Sequence, residues 1–83
     1  MSVKTFRYAG VSEQNGQYKV RYANDKGRAQ HLVKVGHTNV EIFDLKDAMP
    51  KEDCVDLLLS KTFKNTKAME TVIAEAREIG FKV

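Results

Sequence analysis

Residues 15–23, Asn15-Gly16-Gln17-Tyr18-Lys19-Val20-Arg21-Tyr22-Ala23, decide the fold. Tyr18, Val20 and Tyr22 alternate with Lys19 and Arg21. That is the period of two expected of a strand with one face toward a core, written in residues that favour a pleated surface. Asn15-Gly16 immediately before it is a strong hairpin signal, because both residues tolerate the positive φ of a two-residue turn. Upstream, Phe6 and Tyr8 alternate with Thr5 and Arg7. Residues 3–23 are therefore predicted to form an antiparallel hairpin.

The register of that hairpin bears on function. With Asn15 and Gly16 as the only loop residues, Val11 faces Val20 and Ala9 faces Tyr22. Phe6 and Tyr8 then share a face with Lys19 and Arg21, an aromatic and basic surface of the kind that stacks on bases and neutralises phosphates. A longer loop, or a bulge near Gly10, turns the first strand over. Phe6 and Tyr8 would then join Tyr18, Val20 and Tyr22 in one core, leaving a plain solvated basic face. A chain short of core favours this second register.

Residues 25–36 carry two readings. Asp25 suits a helix cap, Ala29, Leu32 and Val33 recur at helical spacing, and Gly36 suits the position after a helix. Residues 28–35 also end in the alternating Leu32-Val33-Lys34-Val35, which would make a third strand of a meander. The cap and the glycine favour the helix. Residues 39–45 read as a strand with Val40 and Ile42 pointing inward. Pro50 at a first helical position, followed by Lys51-Glu52-Asp53, starts a helix, since its fixed φ fits there and acids suit the positive end of the dipole. Cys54, Val55, Leu57, Leu58 and Leu59 make that helix largely buried. Asn65 or Thr66 caps a last helix with Met69, Val72, Ile73 and Ala76 in one stripe. Gly80 ends it, and Phe81-Lys82-Val83 is read as a short edge strand.

Eighty-three residues, 42% of them hydrophobic, suffice for one domain (1–83) with one core and argue against intrinsic disorder. A single cysteine, Cys54, excludes an internal disulfide and suggests a reducing, cytoplasmic compartment. The N-terminus lacks the apolar run of a signal peptide, and no stretch has the ~18 apolar residues of a membrane span. The chain is expected to be soluble and to engage no membrane.

Charge is segregated along the chain. Residues 1–35 hold seven cations against Glu13 and Asp25, a balance of +5. Residues 36–59 hold two cations against six acids, or −4, and the remainder, with five against three, restores the overall +3. Blocks of one sign present surfaces of one sign to partners. The cations placed as nucleic-acid contacts are Arg7, Lys19, Arg21, Lys26 and Arg28.

Other constellations give little. His31, His37 and Cys54 have no metal-ligand spacing, so neither a metal nor a cofactor is expected. His37, after the helix-ending glycine, reads as a loop hydrogen-bonder and Cys54 as a small buried hydrophobe. The five glycines form no phosphate-cradling loop, and the acids from Glu41 to Asp56 lack a calcium-loop pattern. No acid/base or nucleophile pair is visible, so no enzyme is expected.

The run Val35-Gly36-His37-Thr38-Asn39-Val40, followed by Leu45 and by Ala48-Met49-Pro50-Lys51-Glu52-Asp53, resembles small proteins encoded by marine cyanophages. In these a Gly-His-Thr turn precedes a strand and then a helix that starts with Met, basic and acidic residues. The resemblance spans about residues 17–60. It brings no catalytic residues and implies a viral protein acting in host cytoplasm.

The expected fold is α+β: an N-terminal hairpin, a short helix or third strand, a further strand, and two C-terminal helices on one face of a small sheet. The expected function is an accessory protein-interaction module that docks on a host or viral protein. The alternative is a nucleic-acid-binding module built on the basic hairpin. The short chain and the apolar positions of the last two helices also suggest a homodimer.

Overall fold

The computed structural model describes residues 4–83, and of residues 32–34 the backbone alone. The chain runs β1 (Thr5–Gln14), β2 (Gln17–Ala23), α1 (Lys26–Lys34), β3 (Thr38–Pro50), α2 (Lys51–Leu59) and α3 (Thr66–Ile79). It is an α+β fold with one antiparallel sheet of three strands in the order β2-β1-β3. The helical reading of residues 25–36 holds. Asp25 accepts the Arg28 N–H at 2.8 Å, and Gly36 follows the helix with φ of 90°. Of the proposed stripe, Ala29 is buried, while the side chains of Leu32 and Val33 lie outside the described residues.

Asn15 and Gly16 have φ of 55° and 79° and form the two-residue turn, so Val11 pairs with Val20 and Ala9 with Tyr22. The turned-over register favoured above is therefore not adopted. The irregularities fall instead in the pairing of β1 with β3. Between Phe6 and Tyr8, β3 advances five residues while β1 advances two. Lys46, with φ of 75°, lies in that excursion, and Asp44 Oδ1 accepts its N–H at 2.8 Å. A smaller bulge contains Asn39, with φ of 50°. The first shift lies between the two aromatic residues of β1. Phe6 reaches the core and stacks at 5.3 Å on Tyr22, whereas Tyr8 stays on the other face, opposite Ala23 and Asp44. β3 crosses the middle of β1 so closely that a Cβ on Gly10 would lie 1.9 Å from the Glu41 carbonyl oxygen, which leaves glycine the only residue that fits.

α2 and α3 cover one face of the sheet. Ala9, Val11 and Val20 meet Leu45, Cys54, Leu58, Ala68 and Val72 in a single buried cluster, with Phe43 edge-on to Phe63 at 5.1 Å beside it. Ala68, Val72 and Ala76 recur every fourth residue, the spacing that turns one stripe of α3 inward. Cys54 is wholly buried, its thiol directed at the carbonyls of Phe6 and Met49. Burial, with Asp53 nearby, pushes that thiol up to about 11. Asn65 caps α3 by accepting the Lys67 N–H at 2.8 Å.

Three local expectations need correction. Pro50 is the cap before α2, with extended ψ of 161°, rather than its first helical residue. Val40 and Ile42 are half-buried on the opposite face, under α1, while Phe43 and Leu45 turn toward the helices. Phe81-Lys82-Val83 adds no strand. Phe81 N–H bonds to the Ala76 carbonyl at 2.9 Å and Arg77 Nε donates to the Val83 carbonyl at 2.9 Å, which folds the tail onto the end of α3.

Candidate binding face under helix α1

Directly paired residues in antiparallel strands share a face. Tyr8, Gly10 and Ser12 of β1, Lys19 and Arg21 of β2, and Ile42 and Asp44 of β3 therefore all lie on the side away from α2 and α3. α1 rides over this side. Between it and β3 lies a groove of about 380 Å³, lined by Tyr8, Lys26, Ala29, Gln30, Val40, Ile42 and Asp44. A recess of about 70 Å³ continues toward β2 and is lined by Arg21 and Arg28 among others.

The five cations placed by sequence do not all serve this face in one way. Arg7 is held by Asp44 through two contacts of 3.0 and 3.2 Å, with its guanidinium 5.6 Å from the Tyr8 ring centre. The Arg7 hydrogen bonds, with the Lys46 N–H, keep the Asp44 carboxyl below the usual range. Arg21 is half-buried and donates through Nε to Ser12 Oγ at 2.6 Å. Lys19 and Lys26 are exposed. Arg28 is exposed too, and its ion pair with Asp25 is a long 3.8 Å. Lys19 and Arg21 line one depression, Arg21 and Arg28 the next, and Lys26 the groove, so four of the five cations form a continuous strip.

Ser12 Oγ also lies 3.0 Å from His37 Nδ1. Arg21 uses one lone pair of that oxygen, which leaves the hydroxyl a second lone pair and its own proton, so either tautomer of His37 satisfies the contact. Burial, then the charge of Arg21, lowers the His37 pKa from its ordinary 6.5. The pair is not a nucleophile and base awaiting substrate, because Ser12 is completely buried and its oxygen is occupied by Arg21. It ties the start of β3 to the hairpin, the loop hydrogen-bonding expected of His37.

The acidic block is divided. The Glu41 carboxylate accepts the N–H groups of Lys64 and Asn65 at 2.7 and 3.3 Å, and Asp44 holds Arg7. Glu52, Asp53 and Asp56 are exposed on α2, which covers the opposite face of the sheet. No cluster of metal-ligating side chains occurs among the described residues, and no described helix is long and apolar enough to cross a membrane.

The groove is what sequence reasoning missed. Tyr8 was placed beside the cations by the two-residue turn. The approach of Ala29, Gln30, Val40 and Ile42 depends on how α1 crosses the sheet, and local periodicity carries no signal for that. No family model, curated protein or solved structure matches the chain.

Proposed function

We propose that this chain is a small non-enzymatic binding module that docks an acidic segment of another protein against its α1 face. The observation that carries this reading is the strip of Lys19, Arg28 and Lys26, exposed beside an open groove, while the exposed acids of α2 lie on the other side. The groove offers apolar walls for a peptide, and the strip offers charge complementarity. In the setting that the cyanophage resemblance implies, the module is a phage accessory factor acting on a host or viral protein in the cytoplasm.

Nucleic acid is the second reading, favoured by Tyr8, whose ring lines the groove beside Lys26. The test is fluorescence anisotropy with a labelled polyglutamate peptide and with short single- and double-stranded oligonucleotides, at low and at physiological salt. The peptide is expected to bind the native protein and to be lost from a Lys19→Glu/Arg28→Glu variant. Oligonucleotide binding that falls steeply with salt, without peptide binding, would transfer the function to the second reading. Failure of both probes at low salt would end both.

A further inference from the structure

We infer that the groove receives its partner as an extended segment that adds a fourth strand to the free edge of β3; this rests on the acidic-segment reading above. The hairpin geometry indicates which backbone groups are free. Its two-residue turn makes Gln14 and Gln17 a hydrogen-bonded pair. Pairs then alternate along the ladder, so Tyr8, Gly10 and Ser12 bond to β2, while Ala9 and Val11 bond to β3. On β3 the partners of Ala9 and Val11 are Phe43 and Glu41. The N–H and C=O groups of Val40, Ile42 and Asp44 consequently point outward, and no hydrogen bond among the described residues occupies them.

The other edge is less available. β2 turns Tyr18, Val20 and Tyr22 outward by the same alternation, but Val20 is only 4% exposed and α3 packs beside that strand. Val40, Ile42 and Asp44 are all half-exposed. The bulges at Asn39 and Lys46 leave residues 40–45 as the regular edge, room for a segment of about six residues at ~3.3 Å each. A segment paired there turns alternate side chains toward α1, against the apolar wall of Ala29, Val40 and Ile42 and within the region of Lys26. Asp44 also lines the groove, and its charge is already met by Arg7, so a carboxylate on the segment is drawn to Lys26. The occupant is thus a short extended peptide with apolar residues on one side and an acid at the end of that row. Strand addition of this kind takes affinity from backbone bonds and selectivity from alternate pockets.

The probe is the synthetic peptide Thr-Val-Thr-Val-Thr-Glu, with two further versions N-methylated on the odd or on the even amides. In the free protein, the amides of Val40, Ile42 and Asp44 should exchange quickly and those of Glu41 and Phe43 slowly. Saturation with the parent peptide should protect the first three. One N-methylated version should bind like the parent, and the other roughly tenfold more weakly or worse, because it alone loses the amides that face β3. Lys26→Glu should weaken all three.

Equal binding of both N-methylated versions, or peptide bound while Val40, Ile42 and Asp44 still exchange quickly, would overturn strand addition and leave charge docking standing. Failure of the parent peptide alongside retained polyglutamate binding has the same consequence. Protection of those three amides in the free protein, rising with concentration together with a dimer in sedimentation, would assign the edge to a second copy and overturn the peptide occupant.

Discussion

Leu58 and Ile42 are branched aliphatic side chains set against the same three-stranded sheet, on opposite faces. Leu58 is completely buried among side chains of α2, α3 and the hairpin. Ile42 stands half-buried in the wall of a groove. The difference follows from what lies above each. Two helices supply apolar stripes to the first face. A single nine-residue helix covers the second, over a surface that includes Ser12, Arg21, Asp44 and a glycine. One face holds the fold together; the other is left with an open groove.

The sharpest way to break that contrast is to truncate both side chains. Leu58→Ala should cost ~2–5 kcal/mol through lost burial and an unfilled cavity, a large part of the stability of a small domain. Ile42→Ala should cost only about 1 kcal/mol, since a half-buried side chain recovers roughly half of the ~1.5–3 kcal/mol of full burial. Chemical denaturation of the two variants measures both. Equal losses would make the α1 face a second core rather than a docking surface.

The same contrast explains how much of the molecule could be read beforehand. The hairpin, α2 and α3 were legible because Asn15-Gly16, Asn65 and Gly80 are local signals and the stripe of α3 is periodic. A chain short of core favours the turned-over register, in which Phe6 and Tyr8 both join the core. In the structure only Phe6 joins the core while Tyr8 remains outside, and the pairing of β1 with β3 bulges between them. Such a bulge forms against a strand some 40 residues away, and no local pattern in β1 announces it. Among the candidate site residues, Lys19 and Arg21 follow from the alternation of β2 and lie on the α1 side of the sheet. That alternation could not reveal that Arg7 is engaged by Asp44 or Arg21 by Ser12, since both contacts depend on tertiary pairing.

A smaller effect should separate the faces by pH. His37 lies on the α1 side with Arg21 beside it, and burial, then that charge, lowers its pKa. Its folded pKa lies below the unfolded 6.5, so below that pH the unfolded chain takes up the proton more readily. The contribution of His37 is therefore complete above about pH 6.5 and is lost as pH falls through the lower folded value. Denaturation of the native protein and of His37→Asn between neutral pH and pH ~5 should show a steeper loss for the native chain. Amide exchange should report α1 loosening before α2 and α3. Parallel curves would remove His37 as the source.

The smallest effect on stability is expected where the effect on binding is largest. Lys19 is exposed, and Arg28 has only the long contact to Asp25, with side chains 77% and 62% exposed. Surface pairs of this kind contribute little. Reversing Arg28 places a new acid near Asp25, but the first turn of α1 contains no acid, and a carboxylate there is favoured by the helix dipole. These opposing terms should leave Lys19→Glu/Arg28→Glu within about 0.5 kcal/mol of the native stability, although the net charge falls from +3 to −1. Denaturation and polyglutamate binding measured on the same preparation give the answer. A variant that keeps its stability and loses the peptide assigns these cations to recognition alone. A variant destabilised as much as Leu58→Ala would show that the strip holds α1 in place, and the division of labour between the two faces would fail.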